Sequence, residues 1–171
     1  MHLRRITLED AELLEAWQSI QYTGGFNDFG VQGGPLSDAI RRDGLVGAHG
    51  GSLIVELEAG QTPVGTVSWR EVRYGPNPES AAWQIGINLI PEGRGQGFGG
   101  EAQRALAVHL FATTPVNRVE AMTDIDNVAE QRSLEKAGYV REGMLRGAQY
   151  RAGGYHDLVV YACVRGTFEV A

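Results

Sequence analysis

The stretch from Trp83 to Phe111 constrains this chain more than any other. Trp83-Gln84-Ile85-Gly86-Ile87-Asn88-Leu89-Ile90 alternates apolar and polar side chains, the period of a half-buried strand. A glycine-dense turn follows at once, Pro91-Glu92-Gly93-Arg94-Gly95-Gln96-Gly97-Phe98-Gly99-Gly100, and then an amphipathic run from Glu101 to Phe111. Strand, glycine turn and helix start together make an anion-binding device. Glycine lets backbone N–H groups approach a ligand with no Cβ in the way. The helix N-terminus adds oriented donors and a partial positive charge. The ligand expected from this stretch is a phosphate or pyrophosphate.

The rest of the chain sets bounds on whose phosphate that is. At 171 residues it fits one domain, 1–171, with room for a core. It has no run of about eighteen apolar residues that would cross a membrane. Met1-His2-Leu3-Arg4-Arg5 leads into polar residues, not into an apolar signal core. The lone Cys163 excludes an internal disulfide framework and suits a reducing compartment, so a cytoplasmic location is expected. A formal net charge of −6 argues against broad nucleic-acid binding and is compatible, weakly, with a cationic substrate such as an amine.

Patterning predicts a mixed sheet with helices, class α+β. Leu3 to Ile6 reads as a strand, and Thr7 as the cap of a helix that runs to about Ile20. Tyr22 to Gly34 reads as a loop and Leu36 to Arg42 as a short helix. Ser52–Glu58, Val64–Tyr74 and Ala81–Ile90 are separated by short Gly/Pro turns and imply an antiparallel meander. A helix at about 98–112, a strand at about 117–123 and a helix from Asn127 to before Gly138 follow. Strands Tyr139–Leu145 and Asp157–Arg165, joined through Arg151-Ala152-Gly153-Gly154, close the chain.

Two literal motifs compete for the glycine turn. Gly95-x-Gly97-x-x-Gly100 matches a dinucleotide fingerprint, with Glu120 at about the expected distance. Against it, four residues separate the strand from Gly95, Glu120 falls inside a predicted strand, and antiparallel strands precede the turn. A triphosphate-binding loop is excluded, because Glu101 and Ala102 follow Gly100 where lysine and a hydroxyl are needed. The third spacing, Arg94-x-x-Gly97-x-Gly99, resembles the signature of the GNAT acetyltransferase superfamily, including its proline three residues before the arginine, Pro91 here. Three later stretches extend the resemblance to RimJ/RimL-type N-terminal amino acetyltransferases: Asn127 to Tyr139 with its Glu-Lys-x-Gly-Tyr close, Arg141-Glu142-Gly143-Met144-Leu145-Arg146, and Tyr155-His156-Asp157 to Tyr161.

The resemblance implies an acetyl-CoA-dependent N-acetyltransferase that acts by direct attack of a primary amine in a ternary complex. The acceptor would be a protein N-terminus or a small-molecule amine, and no metal is required. Dimers are common in the family, so a homodimer is an expectation of the resemblance alone. Coenzyme contacts are expected from Leu89, Ile90, Arg94, Gly95, Gln96, Gly97, Phe98, Gly99, Gly100 and Asn127. The plain reading of Asn127 is a helix cap. Oxyanion donors are expected from the backbone at Asn88 to Ile90. For proton transfer the candidates are Glu79, Asn88, Glu130, Ser133 and His156, with Asp124, Asp126 and Asp157 as further carboxylates. The sequence departs from the family where a tyrosine is usual, at Leu134, and where a serine is usual, at Glu130. An alternative is therefore a non-catalytic domain that binds or senses acyl-CoA.

Overall fold

The computed structural model describes residues 1–18, 25–29 and 34–168. In chain order the elements are β1 (His2–Arg5), a 3-10 turn (Leu8–Asp10), α1 (Ala11–Ala16), a second 3-10 turn (Gly25–Asn27), α2 (Ser37–Asp43), β2 (Val46–Gly47), β3 (Gly50–Glu56) and β4 (Pro63–Arg73). After a 3-10 turn at Pro78–Ser80 come β5 (Ala81–Leu89), α3 (Phe98–Thr113), β6 (Arg118–Asp124), α4 (Val128–Lys136), β7 (Val140–Arg151) and β8 (Gly154–Val164). The strands form one sheet in the order β1-β3-β4-β5-β6-β8-β7, with β2 paired to β3. This is the expected α+β class. The meander is β3–β4–β5, antiparallel throughout. β5 and β6 are parallel, because α3 carries the chain back across the sheet between them.

Period-two alternation divides the side chains between two faces. Val67, Trp69, Trp83 and Ile85 turn to one face and pack with Ala102, Leu106 and Leu110 of α3 and Leu134 of α4. Trp69 and Trp83 are thus core residues. Ile54 turns to the other face and packs with Ile6, Leu14, Trp17 and Ile40 of the α1–α2 region. Those helices cover the β1–β3 side of that face. Ser68 and Arg70 of β4, opposite Gly86 and Gln84 of β5, lie beyond them.

Several boundaries differ from the sequence expectation. The helix expected from Thr7 to Ile20 begins as a 3-10 turn and is α-helical from Ala11 to Ala16; residues 19 and 20 lie outside the described residues. Asp10 shapes this start. Its carboxylate accepts from Thr7 N at 2.8 Å and pairs with Arg4, which also reaches Glu56 at 2.6 Å. Both carboxylates are buried, and the Arg4 guanidinium holds each below its usual range. β7 runs six residues further than the pattern shows, to Arg151. The β7–β8 turn is the two residues Ala152 and Gly153, at φ +49° and +84°, the primed geometry that matches strand twist.

Candidate active site

The sheet opens at its centre. β5 and β6 pair from Trp83–Val119 to Ile85–Ala121 and no further, although β5 continues to Leu89 and β6 to Asp124. On its other side β5 stays bonded to β4 as far as Gly65–Leu89. The β5 backbone from Gly86 to Leu89 therefore faces a cleft, with polar groups free of the ladder on that side. The register places Asn88 of β5 level with Asp124 of β6 across this opening.

The glycine turn sits at the mouth of the cleft. Pro91–Gly93 forms a 3-10 turn closed by Gly93 N to Ile90 O at 3.0 Å. Arg94 folds back, and its Nε donates to Leu89 O at 2.9 Å. Gln96 Nε2 spans the turn to Glu92 O at 2.5 Å. These two side chains hold the loop to the end of β5. Gly95 and Gly97 have φ of +73° and +88°, and nothing lies within 4 Å of a Cβ built at either. Gly97 is the N-cap of α3, whose first-turn N–H groups have no intrahelical acceptors. Left-handed backbone, open space and a helix N-terminus at one place fit a pyrophosphate. Gly99 and Gly100 differ from these two. A Cβ on Gly99 would lie 2.8 Å from Ser133 Oγ, and one on Gly100 would lie 3.1 Å from Ser133 O. They lack side chains because α4 packs there.

Behind the loop, α3 and α4 share a polar rung. Ser133 Oγ donates to Gln103 Oε1 at 3.0 Å, and Gln103 Nε2 donates to the Glu130 carboxylate. Gln103 is fully buried. Burial pushes the Glu130 carboxyl up to about 7, opposed by the Gln103 bond. Asn127 Oδ1 accepts from Glu130 N at 3.3 Å, so its side chain is the α4 cap. Leu134 is in the core. Burial also pushes the Cys163 thiol up to about 12, which leaves no thiolate nucleophile near neutral pH.

Asp124 is buried at the end of β6 and pairs with Arg151 of β7. His156 Nδ1 lies 3.3 Å from the same carboxylate and 3.2 Å from Arg151 Nη2. Arg151 Nη1 donates to Gly25 O at 3.1 Å, and its guanidinium lies over the Phe26 ring. Asp124 and His156 thus anchor a cation that fastens the 25–27 turn. Asp157 accepts from Gly147 N at 2.7 Å.

The structure therefore gathers Asn88 and His156 about the cleft and places Glu130 and Ser133 behind the loop. Glu79 is not among them. It stands on an exposed turn before β5, and a nine-residue strand separates it from the loop, about 25 Å at strand rise. Two further residues shape the site without a motif to mark them: Gln103, whose one signal is a polar side chain on an apolar helix face, and Arg151, which only the fold brings to Asp124. Among the described residues no group of three His, Cys, Asp or Glu is placed to hold a metal, and no helix is long and apolar enough to cross a membrane.

Residues 1–140 match the family described as acetyltransferase (GNAT) domain. The uncharacterized N-acetyltransferase YoaA of Bacillus subtilis is 34% identical over 82 residues, 48% of this chain and about half of its own length, 46%. The uncharacterized N-acetyltransferase p20 of Bacillus licheniformis is 25% identical over 169 residues, 95% of this chain and 92% of that protein. The fold is shared with the spermidine N-acetyltransferase from Vibrio cholerae, solved in complex with CoA and spermine. The TM-score is 0.81 at 17% identity, over 98% of this chain and 96% of that one. It is shared also with the ribosomal-protein-S5-alanine acetyltransferase from Vibrio fischeri, with a TM-score of 0.77 at 17% identity over 98% and 94%.

Proposed function

The chain belongs to the GNAT acetyltransferase family, and from that premise we propose that residues 1–171 form a single domain that transfers an acetyl group from acetyl-CoA to a primary amine. The observation that carries this is the pair Gly95 and Gly97, left-handed and open to solvent at the N-terminus of α3, beside a sheet that parts at Ile85. A pyrophosphate lies against the N–H groups from Gly95 to Gly100. Of the backbone donors expected at Asn88 to Ile90, the Ile90 N–H is spent on Val64 O at 3.0 Å, and the Asn88 N–H shares its direction toward β4. Leu89 N–H, on the edge that β6 leaves unpaired, is the one offered to the acyl carbonyl. The coenzyme supplies the acyl group in activated form, as a thioester.

The chain's own residues handle the proton. An attacking amine must be neutral, so a polar group at the cleft must take its proton. His156, held beside Asp124 and Arg151, is the candidate the fold brings there, whereas Glu130 stands behind the loop on buried Gln103. Within the family, the Asn127–Tyr139 and Tyr155–Tyr161 stretches support a RimJ/RimL-type member. The lone buried cysteine supports a reducing, cytoplasmic setting.

Thiol release from acetyl-CoA, followed with a panel of peptides, polyamines and amino sugars, tests the proposal. Turnover with a primary amine and none with its N-acetylated form is expected. Coenzyme A binding with no turnover on any amine would instead indicate a sensing domain.

A further inference from the structure

The sheet face opposite α3 and α4 carries a groove of about 810 Å³ between the α2–β2 region and β5. Its floor includes Ser52, Ser68, Gly86, Gln84 and Arg70. Gly86 is the first β5 residue beyond the last pair with β6, so the groove runs to the mouth of the cleft. Gln84 lies two residues back along the strand from Gly86, about 7 Å, and four from Asn88, about 13 Å.

The charges of this groove are not balanced. Asp43 is the one carboxylate among its lining residues, and it pairs with Arg42 at 3.1 Å. His49 pairs with Glu71 at 2.6 Å. Arg70 has no carboxylate within ion-pair distance among the described residues. Its Nε donates at 2.8 Å to Gln84 Oε1, a neutral acceptor. Of the residues outside the described ones, 19–24 and 30–33 contain no Asp or Glu, and Glu169 follows Phe168, which packs with Phe111 on the opposite side of the sheet.

Arg70 is also held in place. Glu120 is fully buried and accepts from Arg118 at 2.8 Å and from Tyr74 at 2.6 Å. It accepts too from Gln84 Nε2 at 3.3 Å. A carboxylate can only accept, so it fixes which end of the Gln84 amide faces it. The Gln84 carbonyl must then face Arg70. A buried carboxylate on β6 thereby orients an exposed guanidinium two strands away, whose Nη2 also donates to the Gln84 carbonyl and which lines the groove.

Resting on the acetyltransfer reading, we propose that this groove holds the acceptor and that the acceptor carries an anionic group, a carboxylate or phosphate, about 7–13 Å from its amine, bound by Arg70. The acceptor is then not a polyamine, although the chain's net charge of −6 alone would suit one.

The test uses four-residue peptides with a free N-terminus, an amidated C-terminus and Glu, Gln or Lys at the third position, with spermidine as a further acceptor. Wild type should prefer Glu over Lys in kcat/KM by about tenfold or more, the scale of one charge-assisted hydrogen bond. Arg70→Glu should reverse that order and Arg70→Gln should level it, with coenzyme A affinity unchanged in both. An aminoalkyl phosphate of matching length should replace the Glu peptide if phosphate is the group bound. Preference of wild type for Lys or spermidine, or an Arg70→Glu variant with unaltered order, would overturn the proposal. Turnover of no amine would contradict the acetyltransfer reading instead. Calorimetric binding of the same peptides to the coenzyme A complex would still read the charge preference.

Discussion

Ser133 Oγ stands 2.8 Å from the point where a Cβ on Gly99 would lie, so these two residues set how closely α3 and α4 approach. The hydroxyl cannot turn away without losing its 3.0 Å bond to Gln103. Gly99→Ala should therefore be more favourable in a Ser133→Ala background than alone, by about 1 kcal/mol, the worth of the bond displaced. A double-mutant cycle from urea unfolding measures this. Gly99→Val exceeds the space in either background and should cost about 1–3 kcal/mol.

Glu130 should make stability fall as pH rises. Its carboxyl is lifted from the usual 4.5 to about 7, so between these values the folded chain keeps a proton that the unfolded chain has lost. The stabilisation is complete below about 4.5 and is lost as pH passes through about 7. It amounts to about 3 kcal/mol at most. Glu130→Gln should flatten this slope in denaturant melts at pH 5, 6, 7 and 8.

Arg4 stands between two buried carboxylates, Asp10 and Glu56. Both are held below their usual range, so their contribution is present above ordinary carboxylate values and is lost as pH falls through the lowered ones. Arg4→Met leaves both charges buried without a cation and should cost about 3–5 kcal/mol at pH 7. Adding Asp10→Asn and Glu56→Gln should recover much of that loss. A triple variant as unstable as Arg4→Met would show that the pairing is not the cause.

Arg151 should govern the 25–29 segment. It bonds Gly25 O, lies over Phe26 and neutralises Asp124. Arg151→Met should speed chymotryptic cleavage at Phe26 and Phe29. It should also destabilise the fold by about 3 kcal/mol through the unpaired Asp124. Asp124→Asn in the same chain should restore stability and leave the cleavage fast, because the carbonyl and ring contacts stay lost.

The elements whose patterns were local could be read from the sequence. Trp83 to Ile90 alternates, Gly95 and Gly97 break a strand into a helix, and Asn127 caps as its residue type favours. β7 escaped beyond Leu145 because its side chains are mostly exposed and two irregularities, at Arg141/Gly143 and Leu145/Gln149, break the period. Its order comes from backbone pairing with β8. Gln103 and Arg151 escaped because their partners are supplied by other elements, Glu130 from α4 and Asp124 from β6. Glu79 was a candidate by its closeness in sequence to the central strand, but it precedes the end that lies away from the loop. The glycine spacing alone did not separate Gly95 and Gly97, which leave room for a ligand, from Gly99 and Gly100, which leave room for α4.

Titration of coenzyme A into the wild-type chain and into Gly97→Asp, followed by calorimetry, decides whether this loop holds the coenzyme. The substitution adds a side chain and a negative charge where nothing lies within 4 Å of the Cβ position. Wild type should bind, and the variant should lose affinity by at least a hundredfold while its circular dichroism remains that of a folded chain. Equal affinity in the two proteins, or no binding by wild type, would contradict the assignment of this loop to the coenzyme.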